Sequence, residues 1–232
     1  MSVLTLTGVL LALLFSAPVL AHSGHVYVAG RGTPIVDGDL SDWPTDSWQS
    51  MGDRRFVYQT DTGPVDLRAS FAVQWRDSRL YLAAEVTDDT HTCDYTGWDI
   101  WRGDSVQWRL DIDHTPSGPS TVLEWGYALS TRTGQTEFHR WTEELATLVK
   151  ASVVRDEAVA VTRYEAEIFL ALEIRGPRVI GLAVLVNDSD ASGREGFAEW
   201  SSGIVGTKSR KLHGDLLLTD ATTSTTQSSQ GA

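Results

Sequence analysis

Residues 71–113 read FAVQWRDSRLYLAAEVTDDTHTCDYTGWDIWRGDSVQWRLDID. Phe71, Val73 and Trp75 alternate with Ala72 and Gln74, and Leu80, Leu82, Ala84 and Val86 alternate with Tyr81, Ala83 and Glu85. Val106, Trp108 and Leu110 repeat the pattern against Gln107, Arg109 and Asp111. A period of two is the mark of a strand with one face on a core. The polar RDSR between the first two runs supplies the break of a hairpin. The stretch therefore predicts a hairpin, a long loop that carries Trp98 and Trp101, and a third strand. Long loops on a rigid sheet are where binding residues are commonly carried.

Outward from this stretch the chain keeps the same character. Strands are expected at Val26–Ala29, Phe56–Tyr58, Thr121–Ser130 and Glu137–Trp141. Ala151–Arg155 and Ala158–Thr162 read as a hairpin around Asp156 and Glu157, and Tyr164, Ala166, Ile168 and Leu170 alternate with Glu165, Glu167 and Phe169. Val179–Val186 is almost wholly apolar, which predicts a central strand buried on both faces. Phe197–Trp200 and Gly214–Leu218 supply the last strands, and Thr142–Val149 is the one stretch expected to make a helical turn. Short strands separated by turns predict an all-β chain, a jelly-roll-like β-sandwich of two antiparallel sheets.

Residues 1–21, MSVLTLTGVLLALLFSAPVLA, are uncharged and apolar and end in small residues, as a secretory signal peptide does. Residues 22–219 are expected to form one sandwich, and the Ser/Thr-rich residues 220–232 a disordered tail. The protein is thus expected to be secreted or periplasmic, with no membrane contact after signal cleavage. A formal charge of −12 argues against nucleic acid and anionic lipid and favours divalent cations or neutral partners. Cys93 is the only cysteine, so no internal disulfide can form.

The chain holds no GxSxG elbow, HExxH or P-loop. Glu165 and Glu167 read as solvated strand glutamates. The expectation is a protein that is not an enzyme. Nine tryptophans are many for this length, and Trp75, Trp108, Trp125 and Trp200 fall in strand patterns that place them in a core. Trp98 and Trp101 do not. A flat indole suits the CH face of a sugar ring, and exposure is expected above all for Trp101. Asp188 and Asp190 follow a buried strand, and Asp88 and Asp89 end another; oxygen ligands so placed suit calcium. Asp37, Asp39 and Asp42 read first as turn residues. His22, as a new amino terminus, would be a candidate copper ligand with a second histidine.

Six phrases in this order resemble the family-9 carbohydrate-binding modules and their wider DOMON-like relatives: PIVDGDLSDWP, VQWRDSRLYLAAEVTDD, WRGDSVQWRLDID, YEAEIFLALEI, LAVLVNDSDASGREGFAEWSS and GDLLL. The resemblance spans roughly residues 26–218. It implies a two-sheet sandwich, sugar binding, a structural calcium, and attachment to glycoside hydrolases in polysaccharide catabolism. It puts Trp101 at the family's stacking position, with Gln107 where a sugar-binding glutamate stands and Gly126 about where an arginine contacts sugar, so that contact is lost. The second clamp tryptophan is missing from SSGIVGTKSRKLH, and Trp200 matches a scaffold position. The expected site is Trp101, Trp98, Gln107 and Asn187, facing an oligo- or polysaccharide. The alternatives are a structural or adaptor sandwich that has lost sugar binding, or a haem- or copper-binding DOMON-like redox domain.

Overall fold

A computed structural model describes residues 23–52, 55–56, 67–115, 118–142, 146–171, 176–191 and 193–222. The expected signal peptide, His22, Tyr58 and residues 223–232 lie outside them. Thirteen strands are present among the described residues: β1 (Val26–Arg31), β2 (Gln49–Ser50), β3 (Arg55–Phe56), β4 (Arg68–Arg76), β5 (Arg79–Thr87), β6 (Ser105–Asp111), β7 (Val122–Leu129), β8 (Thr136–Arg140), β9 (Ala146–Asp156), β10 (Val161–Leu170), β11 (Arg178–Asp188), β12 (Gly196–Glu199) and β13 (Gly214–Thr222).

They pair in the order β8-β7-β6-β11-β13-β1-β4-β5-β10-β9. Two antiparallel layers share this path. The front layer is β8-β7-β6-β11-β13, with β12 beside the far half of β11, and the back layer is β4-β5-β10-β9. Strand β1 joins them. It runs parallel to β13 and touches β4 at Arg31 and Trp75, also in parallel sense. The expected sandwich is present, but the two layers are continuous along one edge. That edge is made by the first and last of the described strands, a pairing that no local pattern announces.

The period of two decides what each layer buries. On the front layer Val106, Trp108, Leu110, Leu123, Trp125, Tyr127, Leu182, Val184 and Val186 point into the sandwich. Phe71, Val73, Trp75, Leu80, Leu82, Tyr164 and Ile168 meet them from the back. Each fully buried large side chain contributes roughly 1.5–3 kcal/mol. Trp200 is also buried and packs edge-on against Tyr27 and Phe71, as its scaffold position implied. Strand β11 is covered on both sides, since Ala183 and Leu185 pack outward against Phe197 and Ile204.

Several expectations change. Residues 146–149 continue β9 instead of forming a helical turn, because Leu148 pairs with Ile168 on β10. The last strand runs to Thr222, past the boundary expected at 219. Glu165 is not solvated: β10 lies between β9 and β5, and the chain around Val36 and Trp43 covers its outer face. The Glu165 carboxylate is fully buried and accepts hydrogen bonds from Trp43 Nε1 (2.7 Å), Gly38 N (2.6 Å) and Asp37 N (3.0 Å). Asp37, Asp39 and Asp42 are turn residues as read, accepting from Asp39 N, Ser41 N and Ile35 N respectively.

Candidate functional site

The loop between β5 and β6 closes with a 3-10 turn over Gly97–Arg102. In such a turn residues three apart eclipse one another, so Trp98 and Trp101 share one side. Ile100 is fully buried and anchors the other. Gly103 then packs against Cys93, where an added Cβ would lie 2.8 Å from the Cys93 Cα. Cys93 is a packed thiol, and burial pushes its pKa up to about 11.

This turn stands over the outer face of the front layer. Gln107 on β6 pairs with Gly126 on β7, and Gly126 with His139 on β8. Just past β8, the Trp141 ring lies over Gly126, close enough that a Cβ there would meet it at 3.0 Å. The Trp141 backbone is held to Glu124 O (2.9 Å), and its indole nitrogen donates to Trp98 O (3.1 Å). His139 sits edge-on to both Trp98 and Trp141, at 5.9 and 5.1 Å between ring centroids. The opposite wall is Ile204, Val205, Gly206 and Lys208, with Arg194 lying 5.0 Å over the Trp101 ring. Together these residues enclose a cleft of about 270 Å³.

Three of the four expected site residues fall here in a clear division of labour. Trp98, Trp101 and Gln107 line the cleft. Asn187 does not; it is buried behind Gln107 and donates to Gln107 Oε1 (3.0 Å) and Ser105 Oγ (3.0 Å), while its own carbonyl accepts from Arg194 (3.1 Å). This leaves the Gln107 amide nitrogen as the donor for the cleft. The exposure of the two indoles is reversed from expectation: Trp98 is 63% exposed, whereas Trp101 is partly covered by Arg194. Trp141 was missed altogether. It occupies the space over Gly126 that an arginine side chain would need. A glycine facing outward from a central strand was the available signal, since it makes room for a ring laid on the sheet.

The acidic residues gather at one end of the sandwich. Asp88 follows β5, Asp188 ends β11 and Asp104 precedes β6. All three are buried, and their carboxylate oxygens lie within 4.8 Å of one another; Asp89 and Asp190 group with Asp88 in the same way. The four expected ligands thus fall in two groups that share Asp88, and Asp104, which the sequence reading missed, belongs to the buried one. Asp104 is steadied by Thr92 N (2.5 Å) and Ser189 N (2.8 Å). Burial, and then the neighbouring Asp188, push the Asp88 carboxyl up to about 7, and burial with Asp88 beside it raises Asp104 well above the carboxylate range. Such a set of hard oxygen donors from both layers fits a calcium ion.

A family model described as carbohydrate family 9 binding domain-like matches residues 36–221. The chain belongs to that family. Two solved structures of a family 9 carbohydrate-binding module from Caldicellulosiruptor kristjanssonii, one with cellotriose and one with glucose, superpose on this chain with a TM-score of 0.66 at 19% identity. They cover 85% and 86% of this chain and 95% and 98% of their own. A protein from Bacteroides uniformis matches with a TM-score of 0.54 at 12% identity, over 84% of this chain and all of its own. At these identities the likeness carries the family's sandwich and not the ligand. No curated protein matches the sequence. No helix among the described residues is long and apolar enough to cross a membrane.

Proposed function

We propose that this family 9 chain is a secreted, non-catalytic carbohydrate-binding module whose ligand enters the cleft of Trp98, Trp101 and Trp141. One observation carries the reading: three indoles and the Gln107 amide converge on one concavity in a chain of this family. Indole faces stack on the CH faces of a sugar, and a held amide fixes a hydroxyl. Trp141 serves as the second aromatic wall that the 201–213 loop lacks. The related modules solved with cellotriose and glucose make gluco-configured sugars the first to test. Calcium bound by Asp88, Asp104, Asp188 and their neighbours would tie β5 to β6 and β11 and hold the Asn187 end of β11 under the cleft. Attachment to, or action beside, a glycoside hydrolase supplies the biological use.

The adaptor reading rested on the lost arginine at Gly126 and the missing clamp. Trp141 stands in for the missing aromatic clamp and the Gln107 amide supplies the polar contact in place of the arginine, which favours sugar binding over it. The test is calorimetric titration with cello-, xylo-, galacto- and manno-oligosaccharides, with and without calcium. Saturable heat that disappears in Trp101→Ala, with the melting temperature kept, is the expected result. A folded protein silent to the whole panel overturns the reading in favour of an adaptor.

A further inference from the structure

The charged residues that line the cleft are Lys208 and Arg194, both cationic, in a chain whose formal charge is −12. Behind them Glu124, almost fully buried, is ion-paired with two cations, Arg109 on the facing strand and Lys208 Nζ at 2.5 Å. A single cation balances a single carboxylate. Arg109 is the buried partner, with 10% of its side chain exposed, and Lys208 the accessible one, with 45% exposed. The trio thus carries one net positive charge, and Lys208, its accessible member, also lines the cleft. Its backbone is also held in the left-handed region, at φ 50°, with its carbonyl accepting from Arg109. Arg194 adds a second positive charge over Trp101. The cation proposed for the acidic cluster on the adjoining loops would neutralise it.

We infer that the cleft selects acidic sugars: saccharides carrying a uronic acid, whose carboxylate pairs with Lys208 and Arg194 while the ring meets the tryptophans. This deepens the sugar-binding reading and rests on it. Neutral gluco-sugars offer these cations only hydroxyls, whereas a carboxylate makes the shorter, charge-assisted bonds. A sulfate ester would offer the same negative charge with a different shape, and the test separates the two.

The experiment compares three ligands on the intact protein by calorimetry at low salt: methyl β-glucoside, methyl β-glucuronide and the 6-sulfate of methyl β-glucoside. The glucuronide should bind about tenfold tighter than the glucoside, a difference of ~1.4 kcal/mol. That ratio should shrink as salt is raised. It should fall toward one in Lys208→Gln and in Arg194→Gln and be largely kept in Lys208→Arg. The salt series on the unaltered protein carries the test if a variant does not fold. A glucoside bound as tightly as the glucuronide overturns the inference and leaves the sugar site standing. A sulfate bound tighter than the glucuronide replaces uronates by sulfated sugars. Silence to all three, and to the neutral oligosaccharide panel, removes the sugar-binding reading itself.

Discussion

Replacing Asp88 by asparagine should stabilise the metal-free protein and abolish its stabilisation by calcium. Asp88 is buried against Asp104 and Asp188, and its carboxyl is pushed up to about 7 from an ordinary value of 3.8. Below pH 4 the folded and unfolded chains both hold the proton, and the residue contributes no pH dependence. Between about 4 and 7 the unfolded chain releases it while the folded chain keeps it, so stability falls as pH rises. Above 7 both are ionised and the penalty stays constant. Three pH units at ~1.4 kcal/mol each give about 4 kcal/mol as an upper bound. Calcium needs the ionised carboxylates, so it opposes this loss above pH 7 and has little hold below pH 5. The assay is urea unfolding followed by tryptophan fluorescence from pH 4.5 to 8, in chelator and in millimolar calcium. In chelator at pH 8 Asp88→Asn should be the more stable protein, and in calcium the less stable one. If the variant is weaker in both, or calcium stabilises neither, the three carboxylates are held by protein contacts and the metal reading fails.

Trp141→Ala should weaken sugar binding by about 30-fold, the ~2 kcal/mol of an aromatic anchor, with little change in melting temperature because the ring is only half-buried. An affinity within twofold of the parent would remove Trp141 from the site. Glu165→Ala should cost ~3 kcal/mol in urea unfolding, since it leaves Trp43 Nε1, Gly38 N and Asp37 N without their acceptor. A loss below ~1 kcal/mol would mean that water replaces the carboxylate. Sugar affinity should be unaffected, as Glu165 lies on the other layer.

The legible part of the site was the part written in one strand and its flanking turn. Trp98 and Trp101 stand outside the alternation of residues 71–113, and Gln107 stands on its polar phase, so all three were found. Asp88, Asp188 and Asp190 were found because acidic residues at strand ends are conspicuous. Asp104 was passed over between Gly103 and Ser105, and its burial depends on the fold of Thr92 and Ser189 around it. Glu165 reads as solvated because nothing local to its strand shows that the outer face is covered. What covers it is the chain around Trp43, more than a hundred residues away in sequence.

By itself the sequence determined which side chains of each strand face inward, because pleating is a local property of the backbone. It therefore also determined that the chain is a sandwich. Tertiary structure decided which strands are neighbours and in what register. Trp141 reaches the cleft because Gly126 pairs with His139, and the carboxylates meet because β5 and β11 end on the same side of the sandwich as the chain that enters β6. Strand neighbourhood is set by packing over the whole chain, and no short stretch of residues carries it.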